Sequence, residues 1–192
     1  MSTKIRFSYR QYEEMIRLGL FNPPENHRVE LIFGEIVPKY GKNPMSPINP
    51  PHEMAVDRLT DWSTEVFPRG LAWLRVQSSI GIPGMESLPE PDLTWLARKD
   101  YSVDRPTPED VFLLIEVSDT TLAKDRGRKS RLYARAGIRD YWIININKRC
   151  IEVRRDPEGS KYQSVTTFAL GQEVPILAFL DISLPVSRIF PD

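Results

Sequence analysis

Glu116 is the residue whose position most needs a chemical reason. It stands in VFLLIEVS (111–118), a nearly unbroken apolar run of the kind that forms a central strand covered on both faces. A lone ionised carboxylate is expensive to bury, so such a glutamate must be paired, protonated or bound to a metal. Asp92 is a second candidate. It follows Pro91 and opens the strand DLTWLA (92–97), at a sheet end that can face a cleft. Lys129 is the third. In the helix after Glu116, positions 125, 129, 132, 133 and 136 fall on one face. Leu132, Tyr133 and Ala136 pack on the sheet, so Lys129 extends that face toward the C-terminal end of the Glu116 strand. Two carboxylates and a lysine converging in a cleft suit a hard cation with oxygen ligands, such as Mg²⁺. Such an ion activates water and neutralises a phosphate oxygen, and the lysine stabilises developing charge or orients the water. Glu116 and Lys129 also read as a plain buried ion pair, which needs no metal. Asp125 reads as the i,i+4 partner that holds the Lys129 rotamer.

These residues need elements to place them. Ser8 and Gln11 make a capping box for a helix over 7–19, with a Phe7–Tyr12 staple, a Tyr12, Met15, Ile16 stripe and Gly19 at C′. RVELIFGEIV (28–37) reads as a hairpin turning at Gly34. Residues 38–51 hold prolines at 38, 44, 47, 50 and 51 and read as a long loop. A helix follows over 52–66, its buried stripe running His52, Ala55, Val56, Leu59, Ser63 and Val66. After the central strand comes the basic helix 122–136, ended by Gly137. Strands follow at 141–146, 150–155 and 162–168, with DPEGS read as a turn. Tyr141 and Trp142 read as core, and Cys150 as a buried small residue. The order predicts an α/β (α+β) fold: a single domain with a twisted mixed β-sheet flanked by helices.

Composition bounds the rest. The chain has 192 residues, with 26 Lys+Arg against 26 Asp+Glu and one Cys. That excludes a globally basic nucleic-acid coat protein, a disulfide scaffold and a Cys-rich zinc site. No apolar stretch approaches a membrane span, and the opening MSTKIRFSYRQYEE has no signal-peptide apolar region, so the expectation is a cytoplasmic protein. Charge is uneven locally. Over 124–139 seven Lys/Arg stand against the single acid Asp125. This stretch reads either as a solvated helix face or as a phosphate-tracking patch with Lys124, Arg126, Arg128 and Arg131 as contacts.

PEPD (89–92), LLIEVS (113–118), the Asp125–Lys129 spacing and YARAGIRDYWIIN (133–145) together resemble the Uma2 family of restriction-endonuclease-like proteins, itself similar to the PD-(D/E)XK nuclease superfamily. VELIFGEIV (29–37) and His52 match further landmarks. The resemblance implies a restriction-endonuclease-like core, with Pro91-Asp92 as the first half of the motif and Glu116 as its second acid. One departure stands out: Ser118 occupies the superfamily's lysine position, and the resemblance implies that Lys129 supplies the lysine instead. It implies the Val117 backbone carbonyl as a metal ligand, and Glu30 and His52 as supporting residues near the site.

The function this implies is Mg²⁺- or Mn²⁺-dependent hydrolysis of DNA phosphodiesters. Asp92, Glu116 and Val117 hold the metal, and Lys129 acts as the electrostatic catalyst. The implied partners are DNA and a second copy in a homodimer, with no membrane and no nucleotide cofactor. The expected organisation is a helix and hairpin (7–37), the proline loop (38–51), the nuclease-like core (52–155) and C-terminal strands (156–192). The alternative is a catalytically inactive nucleic-acid-binding or assembly module that keeps the fold. Hydrolysis of RNA or another phosphate ester is a third reading.

Overall fold

The computed structural model describes residues 5–21, 28–40 and 49–191. Much of the proline loop, and Pro23-Pro24, lie outside them. Helix α1 spans Tyr9–Arg17 behind the Ser8 cap, and both halves of the capping box form. Tyr12 is buried, whereas Ile16, expected in the buried stripe, is exposed. Strands β1 (Val29–Ile32) and β2 (Glu35–Pro38) form the hairpin. Its two-residue turn holds Phe33 (φ 51) and Gly34 (φ 76), both left-handed. That is the backbone a tight hairpin with the strands' natural twist requires.

Helix α2 spans Pro50–Val66 and starts two residues before the expected His52, with prolines in its first turn. Proline lacks only an N–H that has no intrahelical partner there, so Pro50 and Pro51 begin a helix that they could not continue. The sheet is six-stranded, in the order β3 (Ala72–Val76), β4 (Leu93–Ala97), β5 (Val111–Ser118), β6 (Asp140–Asn145), β7 (Cys150–Glu158), β8 (Lys161–Phe168). Only β5–β6 is a parallel pair; the other neighbours are antiparallel. A parallel pair needs a crossover. Here it is a helical segment: α3 (Leu122–Lys124), a π-helical turn at Asp125–Lys129, and α4 (Ser130–Arg135). Two further strands, β9 (Glu173–Ile176) and β10 (Phe179–Pro185), pair with each other, and α5 (Val186–Ile189) follows.

The period-two alternation of β5 splits its side chains between two layers. Leu113, Ile115 and Val117 join Ala55, Val56, Leu59 and Trp62 of α2, with Trp95 and Trp142 between them. Trp62 stacks on Trp95 at 5.5 Å. Leu114 faces Leu132, Tyr133 and Ala134 of the crossover. Glu116 therefore points at the crossover, into the layer that carries Lys129. One turn was misplaced by sequence. The Asp156-Pro157-Glu158 stretch, expected to turn, continues β7, with Pro157 paired to Tyr162. The β6–β7 ladder ends at Asp140↔Arg155, so Pro157 has no β6 partner to which its missing N–H would matter.

Candidate active site

Three pieces of backbone bring the acids together. Glu30 comes from β1, Asp92 from the residue before β4, and Glu116 and Val117 from the C-terminal end of β5. All three carboxylates are buried. Asp92 lies against the Glu116–Val117 peptide: its Oδ2 accepts the Val117 N–H at 2.8 Å. The β4–β5 register explains why. Extending Leu93↔Ile115 by one alternate pair sets Pro91 opposite Val117. Proline has no N–H to offer the Val117 carbonyl. The ladder thus ends with the Val117 N–H on the Asp92 side chain and its carbonyl without a proline donor.

The surrounding layers supply cations and donors. His52, in the first turn of α2, places Nε2 3.2 Å from Asp92 Oδ2. Tyr40 donates to Asp92 Oδ1 at 3.1 Å, and Gln77 donates to the Tyr40 oxygen at 3.0 Å. The Lys39 ammonium lies 4.0 Å from Asp92 Oδ1. From the crossover, Lys129 Nζ sits 2.8 Å from Glu30 Oε1 and 2.8 Å from Glu116 Oε1. Tyr133 donates to that same Glu116 oxygen at 2.6 Å.

The π-helical turn decides which crossover residues reach the site. A π turn aligns residues five apart, where an α turn aligns those three and four apart. Lys124 and Lys129 are five apart, and both reach Glu30: Lys124 Nζ lies 3.2 Å from its Oε2. Lys124 also donates to the carbonyls of Pro38 and Lys39.

Asp125 corrects a sequence expectation. It makes no ion pair with Lys129 within 4.0 Å. Its Oδ2 accepts from Ser118 and Thr121, each at 2.6 Å. It therefore ties the start of the π turn to the end of β5 and does not hold the lysine directly.

Electrostatics separates the acids. Burial favours the neutral form of Asp92, yet the His52 hydrogen bond and the charges of Lys39, His52 and Lys129 outweigh it and hold the carboxyl well below its usual range. Burial also opposes ionisation of Glu30, but Lys129, Lys124 and Lys39 hold it low. Glu116 goes the other way. Burial, with Asp125, Asp92 and Glu30 nearby, pushes it up to about 8 against the pull of Lys129. Lys129 is itself buried, yet Glu116, Glu30 and Asp125 hold its pKa well above the usual ammonium range. Asp92 and Glu30 are thus the readily ionised acids, and Glu116 is the hardest of the three to ionise, beside a buried ammonium. Environments that drive like groups apart in this way divide acid and base roles.

Among the described residues, no three His, Cys, Asp or Glu side chains cluster as a metal cage. The donors do fit a cation that takes few protein ligands. Asp92 and Glu116 offer carboxylate oxygens beside a backbone carbonyl, and Glu116 Oε2 takes no hydrogen bond among the described residues. Mg²⁺ is commonly held by one or two carboxylates, its remaining positions filled by water and substrate phosphate.

The expected phosphate-tracking residues do not act together. Lys124 faces inward to Glu30. Arg126 is engaged by Glu152, with Nη2 2.5 Å from Oε1. Arg128 pairs with Glu35 at 3.0 Å and donates to the Ile32 carbonyl. Arg131 remains exposed, with its guanidinium over the Phe33 ring. Three members of the site were missed from sequence. Lys39 and Tyr40 lie in a stretch read only as loop, and Tyr133 was read only as packing. The sole signal was polar and aromatic character next to the hairpin.

The family described as "Uma2: Putative restriction endonuclease" matches residues 9–187. No curated protein matches the chain. Among solved structures, a "putative nuclease belonging to DUF820" from Anabaena variabilis is 15% identical. It superposes with a TM-score of 0.67 over 96% of this chain and 97% of that one. That likeness establishes the shared fold, and the match across nearly the whole length establishes the kinship: the chain belongs to the Uma2 family of restriction-endonuclease-like proteins.

Proposed function

We propose that this protein is a divalent-metal-dependent endonuclease that hydrolyses DNA phosphodiester bonds. The observation that carries the reading is the placement of Lys129. It comes from the crossover helix, yet its ammonium lies 2.8 Å from the acid at the end of β5. This placement supports reading Lys129 as the lysine that Ser118 does not provide. Asp92, Glu116 and the Val117 carbonyl would hold Mg²⁺ or Mn²⁺. When bound, such an ion offsets phosphate charge and makes water a better nucleophile at neutral pH. The chain's own groups do the rest. Lys129 stabilises the charge that develops on the phosphate. Glu30 and Tyr133 fix the positions of Lys129 and Glu116. His52 and the Val117 N–H orient Asp92, the kind of outer contact on which metal affinity depends. A bound cation would favour the ionised form of Glu116. Two copies, each cutting one strand, form the homodimer this reading implies.

A second reading has its own observation. Lys129 bridges Glu30 and Glu116 inside the protein, which neutralises buried acid without any metal. A nucleic-acid-binding module that has lost catalysis would look the same. Calorimetric titration of Mg²⁺ and Mn²⁺ into wild type and Glu116→Gln, with plasmid nicking in parallel, separates the two. Metal binding that is lost in the variant, with nicking that follows it, supports the nuclease. Absence of metal binding at millimolar concentration, repeated with DNA in Ca²⁺, leaves the binding module.

A further inference from the structure

Four arginines converge away from the acids. Arg6, Arg128, Arg131 and Arg135 line a cleft of about 440 Å³ together with Phe33 and Glu35. Like charges repel, so four guanidinium groups around one carboxylate need a reason. Glu35 answers for Arg128, at 3.0 Å, and lies 4.0 Å from Arg6. Arg131 and Arg135 have no carboxylate partner among the described residues. Each instead rests against the Phe33 ring, at 5.9 Å and 5.7 Å from its centroid. A ring contact orients a guanidinium and leaves its N–H groups free, the state suited to bidentate capture of a phosphate.

The ring is held there by construction. Phe33 has φ 51, a backbone conformation that a bulky residue rarely adopts. The hairpin tip is pinned by Phe33 N–H to Ser87 Oγ, Gly34 N–H to the Glu86 carbonyl, and Phe7 N–H to the Gly34 carbonyl. Arg128 adds a bond from the crossover to the Ile32 carbonyl. Phe33 stands in the turn directly after β1, the strand that carries Glu30.

We propose that Arg131 and Arg135, oriented by Phe33 and joined by Arg6, form a phosphate subsite. It holds the backbone of the substrate strand on the same crossover segment that carries Lys129. The identity of that strand rests on the nuclease reading; the subsite itself does not need catalysis.

The test is binding of a labelled DNA duplex in Ca²⁺ by fluorescence anisotropy, across a range of NaCl. Two lost phosphate contacts reduce the slope of log K against log salt by about 1.8, at about 0.9 per contact. A four-fold rise in salt then weakens wild type about twelve-fold more than Arg131→Ala/Arg135→Ala. Both side chains are exposed, so the fold tolerates the change. Arg131→Lys/Arg135→Lys keeps the charge and should keep most of the slope. Arg188→Ala, whose arginine pairs with Asp61 and Glu65 on another face, should leave it unaltered. An unchanged slope in the double alanine variant overturns the subsite. So does a wild type that binds no DNA. Inorganic phosphate, titrated calorimetrically, is the other arm. Phosphate binding that the double variant loses while its DNA slope stays intact marks a free-anion site and overturns the strand assignment. Plasmid nicking separates the two readings. Nicking with an unchanged slope removes the subsite alone. A reduced slope without nicking in Mg²⁺ or Mn²⁺ keeps the subsite and removes the nuclease.

Discussion

Replacing Lys129 with methionine tests the centre of the site on stability and chemistry together. The Lys129 ammonium lies 2.8 Å from carboxylate oxygens of both Glu30 and Glu116, and the side chain is 2% exposed. Removing one partner of a buried ion pair destabilises by about 3–5 kcal/mol, because the other charge is left unpaired. Methionine fills the lysine stem's volume, so little cavity energy adds to this. Two relaxations limit the loss. Lys124 still lies 3.2 Å from Glu30, and Glu116, already pushed up to about 8, takes up a proton more readily without its ammonium. The expected loss is therefore about 3 kcal/mol, the low end of that range. For a chain of this size it corresponds to a fall in Tm of roughly 6–12 °C. Urea and thermal unfolding, with and without Mg²⁺, provide the assay. Mg²⁺ should restore about 2.7 kcal/mol once it exceeds its Kd about a hundred-fold. Plasmid nicking should stay depressed about 10²–10³-fold, the usual effect of deleting a charge-stabilising donor. A variant as stable as wild type refutes the buried-pair energetics. Stabilisation of neither protein by Mg²⁺ refutes the metal site, and full nicking by a metal-loaded variant refutes the catalytic role of Lys129.

The remaining predictions probe the supports. His52→Ala should weaken Mn²⁺ binding about 10–100-fold by freeing Asp92, and His52→Gln should restore part of it; calorimetry on both variants checks this. Glu152 is held below its usual 4.5: burial raises it, but Arg126, Asn145 and Arg154 outweigh burial. A depressed carboxylate adds stability that is present above its unfolded pKa and is lost as pH falls through the folded one. Arg126→Ala should therefore flatten the decline in unfolding free energy below about pH 4.5, by about 1 kcal/mol after allowing for screening at this part-exposed arginine, as read by urea unfolding. A decline as steep as that of wild type would count against the pair. Gly127 lies in the π turn with open space where a Cβ would sit, so Gly127→Ala should stabilise by about 0.4–1 kcal/mol. Destabilisation beyond 1 kcal/mol would mean that alanine drives the turn toward α geometry. Trp62→Ala, which unstacks Trp95, should destabilise by about 3–5 kcal/mol in urea unfolding.

How much of this was legible depended on whether a local rule set the position. The Ser8 cap, the turn at Gly34 and the buried run around Glu116 follow from local backbone chemistry and period-two burial, and the structure has them where the sequence put them. Glu116 was visible because an acid in an apolar strand conflicts with its surroundings, and Lys129 because it continued a packed stripe. Trp62 belonged to the α2 stripe by its spacing from Leu59 and was passed over. Lys124 was unreadable for a different reason. The 3.6-residue period set it off the packed face, and only the π turn rotates it onto Glu30. Lys39 and Tyr40 were unreadable because their partners lie far along the chain, Asp92 for both and Gln77 for Tyr40, contacts no local pattern encodes.

On the proposed nuclease reading, Lys129 does from a helix what a lysine at Ser118 would do from the strand, and that reading gives Ser118 and Asp125 a purpose. A lysine on the strand at 118 would be positioned by the sheet itself. A lysine on a helix is only as well placed as the helix, and this helix begins with one short turn after β5. Ser118 and Thr121 both donate to Asp125, and Tyr141 on β6 donates to the Asp125 carbonyl. These bonds clamp the first residue of the π turn to two adjacent strands, four residues before Lys129. Asp125 Oδ1 takes no partner among the described residues, and burial pushes this carboxyl up, so the clamp works mainly through geometry and little through charge. Ser118 thus helps to hold the segment that carries Lys129. The π turn that follows swings Lys124 and Lys129 onto the same carboxylate. Sheet-grade placement of the ammonium is regained by fixing both ends of one irregular turn: Asp125 on β5 and β6, and Lys129 on Glu30 and Glu116.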